Sequence, residues 1–172
     1  MVIAFLPEAM LCAYLATGKI IYKEIAKNTF DFLLSKTFTA TSIKVISNKG
    51  WLQNNGIKTE TIGGEQPIDV AYTILALAKF YNTFKNTNYL KKMETAFSWF
   101  LGNNHLHQII YNPCTGGCYD GLEEDYINLN QGAESTVSYL LARLTMENYS
   151  NKNTKTNHLN KIKENHRVVK SV

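Results

Sequence analysis

Apolar side chains recur at helical spacing in five stretches of this chain. The first runs from about Pro7 to Ala16, with a proline suited to a first turn and Gly18 placed to end it. The second, about Ile20 to Lys36, repeats Ile21, Ile25, Phe32 and Leu33. The third, Pro67 to about Phe84, repeats Ile68, Ala71, Leu75, Ala78 and Phe80. The fourth runs from about Asn88 to Leu101. The fifth, about Gly132 to Tyr149, carries Val137, Leu140, Leu141 and Leu144. Between the second and third, SIKVIS could form a short strand, and NKG and NNG are turn signals.

The links between these stretches alternate in length. Those at Thr17–Lys19 and Lys85–Thr87 are short, which predicts antiparallel helix pairs. Those at 37–66 and 102–131 are long, and long links on a helical scaffold tend to carry function. The hairpins also repeat. YLATGKIIYKEIAKNTFDFLL at 14–34 aligns without a gap on YNTFKNTNYLKKMETAFSWFL at 81–101, pairing Tyr14 with Tyr81, Tyr22 with Tyr89, Phe30 with Phe97, Phe32 with Trp99 and Leu34 with Leu101. One such hairpin cannot bury its whole apolar surface, so neighbours must stack. The fifth helix opens a third hairpin and finds no apolar partner after it, so the pattern predicts two and a half hairpins of a larger array.

Length and composition add limits. The 172 residues, 45% hydrophobic and 12% aromatic, suit one domain with a substantial core. No apolar run is long enough for a membrane span. The apolar start lacks a basic region and reads on as a helix, so it is taken as folded protein rather than a leader. Three cysteines at irregular spacing make no disulfide framework and fit a reducing, cytoplasmic setting. The net charge of +4 comes from the end of the chain: residues 150–172 hold six Lys/Arg against one Glu, and the rest is nearly neutral. That segment, rich in Asn and Lys, predicts a disordered basic tail after a helical domain at 1–149. A solvated tail without a partner is the simpler reading; contact with nucleic acid or a membrane surface is the alternative.

Several pieces together resemble a known architecture. They are VISNKGW (45–51), GEQPIDVAYTI (64–74), YLKKMETAFSWFLGNN (89–104), YNPCTGGCYDGL (111–122) and NLNQGAESTVSYLLA (128–142). The chain resembles the helical domain that follows the nucleotide-sugar-binding part of some bacterial glycosyltransferases, a domain of the (α/α) toroid, six-hairpin glycosidase-like kind. The resemblance implies an all-α fold, antiparallel hairpins forming part of a toroid, with room for one short strand pair in the long links. It also implies a glycan or glycoconjugate ligand held on one rim, and a glycosyltransferase catalytic domain or second chain as partner. A closed toroid needs more helices than this chain supplies, and no Gly-rich nucleotide-binding segment is present.

The candidate chemistry sits where both long links end, at GGEQPID (63–69) and NLNQGAES (128–135). Polar groups at equivalent helix starts fall on one rim, where free helix N–H groups can also meet a hydroxyl. Glu65, Gln66 and Asp69 form one cluster; Asp120, Asn128, Asn130, Gln131 and Glu134 form the other. Such side chains both donate to and accept from sugar hydroxyls, and Trp51, Tyr111 or Tyr119 could add an aromatic face. Asp69 and Glu134, each in a first turn, equally serve the helix dipole. Glycoside hydrolysis needs two carboxylates across the bond, and Asp69 with Glu134 is the pair of choice, with Glu65 and Asp120 as substitutes. Transfer, hydrolysis by a six-hairpin glycoside hydrolase, and a non-catalytic module needing a partner chain all fit. No cofactor or metal is expected: His105, His107, Cys114 and Cys118 are spaced more loosely than a structural zinc site. No phosphate loop, dinucleotide fingerprint or serine-hydrolase elbow is present.

Overall fold

The computed structural model describes residues 4–50 and 61–149. Among them five α-helices follow in order: α1 (Phe5–Thr17), α2 (Ile20–Thr37), α3 (Pro67–Phe84), α4 (Asn88–Ser98) and α5 (residues 133–149). A 3-10 turn, Trp99–Leu101, prolongs α4. Two short antiparallel strands, β1 (Gly121–Leu122) and β2 (Ile127–Asn128), lie in the second long link, pairing Gly121 with Asn128 and Leu122 with Ile127. The helices and the strand pair are the elements expected. SIKVIS is not a strand: it makes a single bridge, Ile43 to Phe38, and buries Ile43 and Val45. Trp51 and the basic segment 150–172 lie outside the described residues.

The repeat survives in atomic detail. Gly18 and Lys85, one repeat apart, both adopt a left-handed conformation (φ 70° and 57°). Each donates its backbone N–H to the tyrosine four residues earlier, Tyr14 or Tyr81, at 2.8 Å. The two helix ends are thus the same C-cap, built once with glycine and once with a residue that pays for its Cβ. The stacking repeats as well. Phe30 of α2 meets Phe80 of α3, the next hairpin's first helix, with ring centroids 4.2 Å apart. Phe97 of α4 meets Tyr139 of α5 in the same sense, at 6.1 Å.

The copies diverge at their ends. Phe32 is exposed while its counterpart Trp99 is fully buried; Leu34 is buried while Leu101 is exposed. The cause is that α2 continues to Thr37, whereas α4 tightens into a 3-10 turn at Trp99. Three residues at three per turn rotate the side chains by about 60° relative to an α-helix. That rotation is complete only at Leu101, which is exposed, while Trp99, at the head of the turn, lies buried under the polar cleft described below.

The apolar stripes behave differently on different helices. In α3 the residues buried are Val70, Ala71, Ile74, Leu77 and Phe80, with further positions around the helix, because α3 lies between two neighbours. In α5 the stripe Val137, Leu140, Leu141 and Leu144 faces outward, and Ser135, Ser138, Tyr139 and Ala142 face the core. In α2, Ile21, Ile25 and Phe32 are likewise exposed, while Ala26, Phe30, Leu33 and Leu34 are buried. The helices at both ends of the described stack therefore carry a second apolar face.

The shared cap yields a simple prediction. Lys85→Gly removes a left-handed Cβ penalty and keeps the bond to Tyr81, so it should raise stability by about 1 kcal/mol in urea unfolding.

Candidate functional site

Both long links end on the same rim. Glu65 pairs with Leu122 through two backbone bonds, 3.0 and 2.9 Å, which laces the start of α3 to the strand pair. The approach is possible because Gly121 has no side chain: a Cβ there would run into the Glu65 carbonyl oxygen. Gly63 is similar, with φ 82° and the backbone of Glu124 where its Cβ would be. The glycines of GGEQ and YDGL are thus spacers that let two links touch.

The Glu65 side chain points inward rather than to solvent and is 8% exposed. Its Oε2 accepts the Trp99 indole N–H at 2.7 Å, and its Oε1 lies 3.1 Å from His105 Nδ1. Burial pushes its carboxyl above the ordinary glutamate value, opposed by the Trp99 and His105 contacts. Asp120 is equally committed. Its Oδ1 accepts the Gly132 N–H at 2.8 Å and the Ser135 hydroxyl at 2.7 Å, so it caps α5 from outside the helix. Its own N–H goes to the carbonyls of Asn130 and Asn128, at 2.9 and 3.2 Å.

Above these fixed groups opens a polar cleft of about 400 Å³. Glu65, Gln66, Asp120, Asn128 and Glu134 all line it, five of the sequence-derived candidates drawn from both clusters. Asn48, Glu123 and Ser135 line it too, and the sequence reading did not include them. Asn48 stood inside the NKG turn signal; its backbone N–H bonds the Gly64 carbonyl at 2.9 Å, which brings the first link to the cleft wall. Glu123 stood in an acidic run, and it forms an ion pair with Lys49 at 2.6 Å.

The remaining candidates sit apart from the lining. Gln131 accepts the Thr115 hydroxyl at 2.6 Å, and Tyr119 accepts from the Asn112 amide at 3.0 Å. Asn130 contributes its backbone carbonyl to Asp120. Tyr111 stacks on Tyr139, centroids 4.2 Å apart, and so fastens the link to α5. Asp69, in the first turn of α3, borders a small recess with Ala4, Leu33, Thr37 and Ile43. Burial, with a smaller contribution from the nearby Glu134 carboxylate, pushes its carboxyl up to about 6. Asp69 and Glu134 therefore share one end of the hairpins, close enough to feel each other's charge. Cys118 is buried and its thiol is pushed up to about 12 by burial, so it is an unreactive core group.

Helical hairpins stacked side by side, with loops converging on a polar rim cleft, define part of an (α/α) toroid. The solved structures agree. The chain is similar to the GH76A α-1,6-mannanase of Salegentibacter sp. HEL1_6, with a TM-score of 0.63 and 15% identity over 87% of this chain. The same values hold for an inactive double Asp-to-Asn variant of that mannanase in complex with α-1,6-mannotriose. The chain spans 41% of that protein's length. No protein-family model matches the chain, and no curated protein does. The likeness establishes the six-hairpin fold, present here in part. Among the described residues, no helix is long and apolar enough to cross a membrane.

Asp69 gives a signed pH prediction. Its folded-state value lies above the ordinary aspartate value of 3.8, so ionisation costs stability as pH rises from there to about 6. Asp69→Asn carries no such cost. The melting temperature of the variant should gain on that of the parent across this window, and a difference that is flat with pH contradicts the assignment.

Proposed function

We propose that the polar cleft binds a glycan and that the chain is a carbohydrate-active protein of the six-hairpin kind. The observation that carries this reading is the convergence of carboxylates and side-chain amides from both long links on one open cleft. Its volume falls in the roughly 300–1,000 Å³ range of small-ligand sites. Sugar hydroxyls need neighbours that donate and accept, and Gln66, Asn48 and Asn128 do both while Glu134 accepts. Glu65 and Asp120 contribute by holding the walls. The likeness to an α-1,6-mannanase makes α-linked oligosaccharides the first ligands to try.

Hydrolysis is the second reading, favoured by one observation. Asp69 keeps its proton to about 6 while Glu134, exposed beside the cleft, adds to that shift. A carboxyl that holds its proton beside a second carboxyl is an arrangement that glycosidic cleavage uses. The scissile bond would then lie between the Glu134 wall of the cleft and the separate recess that Asp69 borders, Asp69 donating to the leaving oxygen and Glu134 acting on the opposite face. The outward stripe of α5 supports a further element of the reading. A glycosyltransferase domain or second chain would cover it, as the notional third hairpin requires.

Calorimetric titration with α-1,6-mannotriose and related oligosaccharides tests the cleft. Glu134→Ala and Asn128→Ala, both on the lining, should each weaken binding about tenfold, the loss of one or two sugar hydrogen bonds. Binding that neither substitution alters would move the ligand elsewhere.

A further inference from the structure

His105 belongs to neither sequence cluster, yet it touches the cleft wall from behind. Its Nε2 lies 2.8 Å from the Glu123 carbonyl oxygen, and its Nδ1 lies 3.1 Å from Glu65 Oε1. The first contact settles a proton. A carbonyl oxygen only accepts, so Nε2 carries the hydrogen. The second contact then needs one further proton between Nδ1 and Oε1. Either an imidazolium donates to a carboxylate, or a carboxylic acid donates to a neutral imidazole. The pair is neutral in both arrangements. The Trp99 indole donates to the other oxygen, Oε2, at 2.7 Å in either case.

We propose that His105 is a positioning residue for the cleft: it shares a single proton with Glu65, and the side-chain tie that runs from Glu65 through the His105 ring to the Glu123 turn, added to the backbone bonds between Glu65 and Leu122, is complete only while that proton is held. This rests on the cleft being the functional site and deepens that reading. Removing the proton leaves one N–H on the ring for two acceptors, so either the Glu65 or the Glu123 contact breaks. Adding another sets an N–H against an O–H, and the Glu65 contact is lost. The complete network exists in one pH window, bounded on both sides.

The surroundings favour a shared proton over full ionisation. Burial is the largest influence on Glu65 and resists its charge, while the Trp99 hydrogen bond, then the His105 contact and last the field of Lys44, on the segment after α2, favour it. The other charges near the pair are the Lys49–Glu123 ion pair on the same wall, and Asp120 and Glu134 across the cleft. What the pair pins matters for function. Glu123 heads the turn that ties β1 to β2, through its N–H to the Tyr126 carbonyl at 2.9 Å, and Asn128 and Asp120 stand at the ends of that hairpin.

The test is an NMR titration of the whole protein, following the His105 ring and the Glu65 carboxyl carbon together. The proposal expects both to move in the same two steps, with the Trp99 indole proton shifting alongside. Separate, unrelated titrations overturn it. Glu65→Gln supplies a second arm: its amide can donate to a neutral His105 and accept from Trp99, so the alkaline step should vanish while the fold is kept. A parent-like alkaline step in Glu65→Gln overturns the proposal. If that variant does not fold, the parent titration alone decides. Neither readout needs a sugar. Coupled titration without any glycan binding would contradict the glycan reading alone, and glycan binding with uncoupled titration would contradict this inference alone.

Discussion

A buried carboxylate, that of Glu65, is the constraint on which the rest of the cleft depends. It sits at the one place where the second hairpin, the 3-10 turn after α4, the His105 loop and the strand pair all meet. A carboxylate this enclosed is costly unless its oxygens are satisfied. Both are: one by the Trp99 indole and one by His105, while the backbone on either side is bonded to Leu122. Remove the acid and a buried indole N–H loses its acceptor, a penalty of about 1–3 kcal/mol. The wall of the cleft would keep its backbone bonds to Leu122 but lose the side-chain tie to α4 and the His105 loop. Asp120 plays the matching part on the opposite wall, where it fastens the start of α5. Glu65 and Asp120, read in the sequence as ligand contacts and as substitutes for the Asp69–Glu134 pair, are thus tied up in holding the cleft walls.

Much of the fold was legible because it is local. Helix starts and stops, short turns and the repeat all follow from spacing, and the Tyr–Gly and Tyr–Lys caps at Gly18 and Lys85 show the repeat to be structural. The placement of polar groups at two equivalent helix starts also followed, since a repeated hairpin puts equivalent ends on one rim. The direction in which a side chain turns did not follow. Glu65 faces inward because the indole of Trp99, 34 residues later, is buried beneath it and donates to its carboxylate, a contact that no local pattern marks. His105 drew attention as a possible metal ligand, whereas its partners are a carboxylate and a carbonyl 18 residues away.

The helix faces teach a related lesson. Periodicity located α2 and α5 correctly but singled out on α5 the stripe that faces outward. An interior helix of a stacked array is apolar on two faces, and a period of 3.6 reports each face without saying which neighbour it meets. Ser135 and Ser138 hid the inner face of α5 because they are polar by type, although Ser135 is buried against Asp120. The outer stripes on α2 and α5 are faces on which further hairpins of a toroid would pack, and they hold many of the large apolar side chains left exposed among the described residues.

The central claim is that Glu65 holds the cleft together from within, and the Trp99 indole proton reports it most directly. Its exchange with solvent should be followed by NMR in the intact protein. If the bond to Glu65 is as short and enclosed as described, the proton exchanges only when the molecule unfolds globally, at the rate of the slowest core amides. An indole proton that exchanges as fast as one on the surface would contradict the account, because the tie between α4, α3 and the strand pair would then not exist in solution.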